Sequence, residues 1–275
     1  MTSTAVTVQG VAEGMMRPAW TFSLFFFLAR ASQAQTHPYH FWAGEIPPYS
    51  YLDEKQEALG SLYRIFQALV ERMGYKTKVE VVPWKRVLIG TRKDLPIFFI
   101  PVARTPEREH IYQWIEPLLI DQFVIYSLQN HMAAVQDKER IKSLRICLLR
   151  GSAAEELAKK HGVTRMEPVT NAHSCARLLN ANRVDGWLTA RSVAETAYVR
   201  AGYDLKDLHA GVQLELWPLY LAASKGVPEG EVLKWRSALQ KMKRDGTFDR
   251  LRQEPIPQAA SPDPTPTLPA QSKSR

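Results

Sequence analysis

The stretch Leu95-Pro96-Ile97-Phe98-Phe99-Ile100 is apolar throughout, and it constrains the fold more than any other segment. A strand wetted on one face alternates polar and apolar side chains. An unbroken apolar run of this length reads instead as a strand covered on both faces, as in a parallel sheet clad by helices. The segments around it agree. Tyr39–Ala43 reads as a strand, and Leu62, Ile65, Phe66, Leu69, Val70 and Met73 recur at helical spacing up to Gly74. Val79 and Val81 mark a strand, and Pro83 opens a short helix. Thr105-Pro106-Glu107-Arg108 has the order of a helix start, with threonine at the cap and proline at the first helical position. Gln122–Leu128 is another strand. A second series follows: strand Leu144–Leu149, helix Ala153–His161, helix Cys175–Ala181, strand Val184–Leu188, a helix through Val193–Ala201, strand Leu214–Ala222 and helix Val232–Lys243. This alternation predicts an α/β fold with mostly parallel sheets and helices on both faces.

The two ends read differently from the middle. Met15-Met16-Arg17 precedes a short apolar run, Pro18–Ala29, and then Ala31-Ser32-Gln33-Ala34. A basic start, a brief hydrophobic core and small residues at a cleavage point describe a secretory signal peptide, so residues 1–34 are expected to be removed. Translation is expected to begin at Met15 or Met16, because residues 1–14 carry no basic segment. The alternative is an N-terminal helix that stays as a core element or a membrane anchor, and the run is short for a membrane span. Residues 255–275 contain Pro255, Pro257, Pro262, Pro264 and Pro266 without apolar periodicity, and are expected to be extended or disordered. Cys147 and Cys175 are the only cysteines. An exported compartment permits a disulfide between them, and two buried thiols in a core are the other reading.

The net charge of +8 is scattered along the chain, with no basic stripe, zinc-finger spacing or RNA-binding aromatic motif. Nucleic acid is therefore not expected as a partner.

Several short segments, in order, resemble the family 3 extracellular solute-binding proteins, the periplasmic receptors of polar amino-acid ABC importers. They are Pro47-Pro48-Tyr49-Ser50-Tyr51, Arg72-Met73-Gly74-Tyr75, Val82-Pro83-Trp84, Arg104-Thr105-Pro106-Glu107-Arg108, Gly151-Ser152-Ala153-Ala154-Glu155-Glu156, Arg183-Val184-Asp185-Gly186 and Asp245-Gly246-Thr247-Phe248-Asp249. The resemblance implies a two-lobed, type II periplasmic-binding-protein-like fold, with two mostly parallel sheets joined by a two-strand hinge. One lobe would be residues 37–126 with 216–254, and the other 127–215. It further implies a periplasmic monomer that holds a small ligand, anionic or amino-acid-like, between its lobes and serves the membrane permease of an ABC importer.

The same resemblance supplies the expected site. Arg108 matches the arginine that forks onto a ligand carboxylate, a task its planar guanidinium suits; a surface arginine paired with Glu107 or Glu109 is the other reading. Arg104 either adds charge to the site or is structural. Ser152 and Ala153 stand at a helix start, where free N–H groups and the helix dipole favour an anion. Trp84 and Tyr49 are candidates for the cleft wall, with core packing the other reading for Trp84. Trp42 and Trp187 are also candidates, although core packing accounts for both. Amino-acid-binding members carry an aspartate after the second-lobe strand, where this chain has Leu188-Thr189-Ala190-Arg191-Ser192. Pro101-Val102-Ala103 likewise replaces small hydroxyl residues before Arg104. Both departures point away from an ordinary α-amino acid and towards a carboxylate without a clamped amine.

Catalysis is not expected. There is no glycine-rich phosphate loop or Gly-x-Ser-x-Gly elbow, and the seven histidines are not spaced as metal ligands. No cofactor or metal is expected. A dehydratase-like enzyme and a periplasmic ligand sensor on the same fold are the alternatives.

Overall fold

The computed structural model describes residues 38–93 and 95–255. The signal-peptide expectation and nearly all of the proline-rich tail fall outside them. In chain order the elements are β1 (His40–Gly44), β2 (Tyr51–Leu52), β3 (Ala58–Leu59), α1 (Ser61–Arg72), β4 (Glu80–Val82), α2 (Trp84–Gly90), β5 (Ile97–Ala103), a 3₁₀ turn at Pro106–Arg108 and β6 (Gln113–Ser127). Then come α3 (Met132–Val135), β7 (Arg145–Leu149), α4 (Ala153–Lys160), β8 (Arg165–Val169), α5 (Ala172–Asn180), β9 (Gly186–Ala190), α6 (Arg191–Arg200), β10 (His209–Ala223), α7 (Glu229–Arg244) and α8 (Thr247–Gln253).

Eight strands share one hydrogen-bonded sheet in the order β4-β1-β5-β10-β6-β9-β7-β8. Two parallel groups, β4-β1-β5 and β9-β7-β8, stand at its ends. Between them the long strands β6 and β10 run antiparallel to each other, and each is antiparallel to its parallel neighbour. This is the α/β architecture with two parallel groups and a two-strand connection. Hydrogen bonding is continuous across the connection.

The apolar run in β5 is explained by its two faces. Phe98 and Ile100 pack into the larger core with Phe41 and Ala43 of β1, while Ile97 and Phe99 pack with Trp42, Trp84 and Val87 on the opposite side. All of β5 is buried as a result. On the first face Trp235 of α7 lies against Phe98 with ring centroids 4.1 Å apart, and also against Phe41 and Tyr75.

Cys147 of β7 and Cys175 of α5 form a disulfide, with Cα atoms 5.6 Å apart and both residues fully buried. It ties a central strand to the helix that covers it. Replacing both cysteines by alanine is expected to cost about 2–4 kcal/mol, through lost constraint on the unfolded chain and lost core contacts, measured by urea unfolding. In the same group Asp185 accepts from the backbone N–H of Arg145 at 2.8 Å and from its guanidinium, while its own N–H donates to Arg145 O. This exchange fixes the entry to β7 and β9 side by side, and gives the aspartate of the Arg-Val-Asp segment a structural task.

Candidate ligand-binding cleft

The parallel strands all deliver their carboxyl ends to one place. Ile46 follows β1, Ala103 ends β5, Leu149 ends β7, Ala190 ends β9 and Ala172 lies just past β8. These residues line a cavity of about 60 Å³. Ligands of α/β sheets bind outside the carboxyl ends of strands, because loops there leave a crevice that helix starts can face. Phe123 of β6 and Leu219 of β10 close the floor, so both connecting strands take part.

Six of the eight residues expected at the site border this cavity: Tyr49, Trp84, Arg108, Ser152, Ala153 and Trp187. Trp42 and Arg104 do not. Trp42 belongs to the core it shares with Trp84 and Val87, under the guanidinium of Arg86 at 5.1 Å. Arg104 forks onto Glu109 at 2.8 and 2.5 Å and lies over the rings of Trp114 and Tyr220. Its hydrogen bonds to Glu109 raise its pKa further, so it stays a fixed cation of the scaffold.

Arg108 ends the 3₁₀ turn and is only 5% exposed. Its Nε donates to Glu156 Oε1 at 2.7 Å, and its Nη2 lies 2.5 Å from the same oxygen. Nη2 also donates to Gly151 O at 3.1 Å. The other carboxylate oxygen of Glu156 accepts from Thr105 Oγ1 at 2.6 Å. Thr105, expected to cap the turn at Pro106 with its side chain, makes no such bond and reaches Glu156 instead. Glu156 was not among the expected site residues. Its place one turn into α4 is legible from the sequence, but its pairing with a residue 48 positions away is not. Nη1 of Arg108 has no partner among the described residues.

Gly151 adopts φ +68°, a left-handed conformation that a side chain disfavours. That turn aims its carbonyl at the β5 side, where it accepts from Arg108 and from Trp84 Nε1 at 3.2 Å. Trp84 in turn needs a bare backbone beneath it, since a methyl on Gly44 would come within 2.8 Å of Trp84 Cε3. The start of α4 faces the cavity. Ser152 makes no capping bond, and its buried Oγ has no partner among the described residues. The backbone N–H groups of Ala153 and Ala154 have no backbone acceptor there either. Glu155 completes the turn by accepting from Gly151 N at 2.7 Å.

Tyr49 is held from both ends. Its carbonyl accepts from Leu62 and Tyr63 at the start of α1, each at 3.0 Å, and its hydroxyl donates to Asp121 of β6. Burial and the adjoining carboxylate both push its pKa well above the usual tyrosine value, so it stays a neutral wall. Apart from Thr189, the remaining walls are apolar, with Trp187, Phe123, Leu149, Val193 and Leu219 among them. A second cavity, about 350 Å³ and more polar, lies across the Arg108–Glu156 pair and is bordered by Arg92, Glu107, Tyr112 and Lys159.

The relatives agree with this architecture. The structure of an amino-acid ABC transporter substrate-binding protein from Streptococcus pneumoniae, bound to L-arginine, superposes with a TM-score of 0.67 at 18% identity, covering 78% of this chain and 93% of that one. A histidine kinase sensor domain with similarity to periplasmic binding proteins gives 0.69 at 16% identity, over 78% and 94%. An ancestral amino-acid-binding protein, described as a precursor of cyclohexadienyl dehydratase, gives 0.65 at 19% identity, over 78% and 93%. At such identities the likeness concerns the fold. No curated protein matches the chain. The model of the bacterial extracellular solute-binding proteins, family 3, matches residues 41–256, and the chain belongs to that family.

Proposed function

We propose that this protein is exported to the periplasm, captures a small solute between its two lobes and presents it to the membrane permease of an ABC importer. The lobes are residues 37–126 with 216–254, and 127–215, and they close about β6 and β10. The observation that carries this reading is the meeting of Arg108, Trp84 and the start of α4 around one cavity at the strand carboxyl ends. Contacts made only in the closed form give a ligand the differential affinity that drives closure.

The cavity suits a solute with an apolar body and one oxygen-bearing head. The head is received by Arg108 Nη1, the N–H groups of Ala153 and Ala154, and Ser152 Oγ. A carboxylate forked onto Arg108 was the expectation, but the Nε–Nη2 edge is taken by Glu156, so the ligand's share of the guanidinium is Nη1. Of the lining residues only Tyr49 and Arg108 are ionisable, Arg108 is held by Glu156, and burial with the Asp121 carboxylate keeps the Tyr49 hydroxyl neutral. This favours binding over turnover.

Native mass spectrometry of protein recovered from the periplasm is expected to show a mature N-terminus near Gln35 and one co-purified small molecule, released unchanged on unfolding. A full-length cytoplasmic protein, or a solute released as a product, would defeat the proposal.

A further inference from the structure

The Arg108–Glu156 pair has a consequence for what the cleft selects. We propose that Glu156 is a specificity-determining residue: it supplies from within the chain the carboxylate that Arg108 is built to receive, and so restricts the cleft to ligands whose oxygen-bearing head is uncharged. The inference rests on the solute-binding reading and names the ligand class.

Arg108 is nearly inaccessible, and its side chain and that of Glu156 are only 6% and 21% exposed. A guanidinium in that position demands a counter-ion. Glu156 meets the demand through Nε and Nη2, the edge that forms parallel bonds. Its second oxygen is held by Thr105, so the carboxylate is fixed at both ends and is not free to swing aside. The pair is neutral as a unit. A ligand carboxylate at Nη1 would then share one cation with Glu156, and two carboxylates side by side on one guanidinium repel. No further cation lines this cavity, and Arg92 and Lys159 border the second cavity across the pair. Ala190, lying at the end of β9, offers no acid to hold a ligand amine. A neutral carbonyl, amide or hydroxyl oxygen meets no such penalty. It gains the Nη1, Ala153 and Ala154 donors, while its apolar body fills the space between Trp187, Phe123 and Leu219.

The test uses two probes of equal size, 3-methylbutanoate and 3-methylbutanamide, titrated by calorimetry into the mature protein. Glu156→Ala is expected to bind the acid at least about tenfold more tightly than the wild type does, with a smaller change for the amide. The gain should vanish in the double variant Arg108→Ala/Glu156→Ala. Glu156→Gln keeps the shape and removes the charge. It should shift preference towards the acid in the same direction, which covers the case of an alanine variant that does not fold. Equal acid affinity in wild type and either folded variant, undetectable binding in both included, overturns the inference. So does a gain that survives loss of Arg108. A wild-type protein that carries no solute, beside a Glu156→Ala variant that gains the acid, would refute the transport reading and leave the role of Glu156 standing.

Discussion

Arg108→Ala should destabilise the protein by about 3 kcal/mol, the lower end of the cost of breaking a buried ion pair. The lower end applies because Glu156 is partly exposed and can turn towards water once abandoned. The change strips Glu156 of its cation and removes one of two donors to Gly151 O, leaving Trp84 alone to bridge to that carbonyl. Binding should suffer more than stability. On the proposed reading the ligand loses the Nη1 donor, and the link between the two groups of strands loses the contacts of Arg108 with Glu156 and Gly151. Together these predict a loss of about ten- to a hundredfold in affinity for the co-purified solute. Arg108→Lys should recover a minority of both effects, because an ammonium restores the charge without the fork. Urea unfolding and calorimetry on the same samples separate the two. An Arg108→Ala protein with wild-type stability and affinity would mean that the pair is incidental.

Trp235→Ala should cost about 3–5 kcal/mol without altering the cleft. The indole is fully buried, stacks on Phe98, Phe41 and Tyr75, and meets Phe66 edge-on at 6.1 Å. Its removal opens a void among rings that cannot all collapse into it. Trp235→Phe is the informative companion. Nε1 of Trp235 is buried without a partner among the described residues, so phenylalanine keeps an aromatic ring in the stack and deletes an unsatisfied donor. Its cost should be well under half that of alanine. Chemical denaturation of the three proteins checks the order, and an alanine variant as stable as wild type would contradict the packing described.

How far the sequence carried is seen best at particular elements. The run before Ile100 announced a two-faced strand because burial on both sides leaves no polar position. The long strands were read only in part, as Gln122–Leu128 and Leu214–Ala222. Pro117 interrupts the pattern of the first, and proline is normally kept out of central strands, while His209–Gln213 at the start of the second has no buried residue and lacks an apolar run. In the folded chain register shifts near Tyr220 absorb Pro117, and β6 and β10 run the full 15 residues each. Strand β8 escaped notice because it is an edge with charged residues and Pro168 in it. Helix α8 escaped because its seven residues bury only Phe248. At the cleft, residues in short motifs were found by their order along the chain. The roles of Glu156, Thr105 and Asp121 were not, since each depends on a partner that only the fold brings near. The tryptophans show the limit most clearly: Trp42 and Trp187 both lie on buried strands, and only the folded sheet shows that Trp187 also borders the cavity while Trp42 does not.

The interleaved strand order also sets a schedule for the newly made chain. Everything from β7 to α6, disulfide included, comes from consecutive residues, so that group can close over short loops as soon as those residues are free to fold. The group around β1 and β5 cannot. Its central indole sits on α7 and its neighbouring strand is β10, both near the end of the sequence. Until they arrive, Phe41 and Phe98 have only the early rings of Tyr39, Phe66 and Tyr75 against them, and the β1–β5 group is the last to become safe from aggregation.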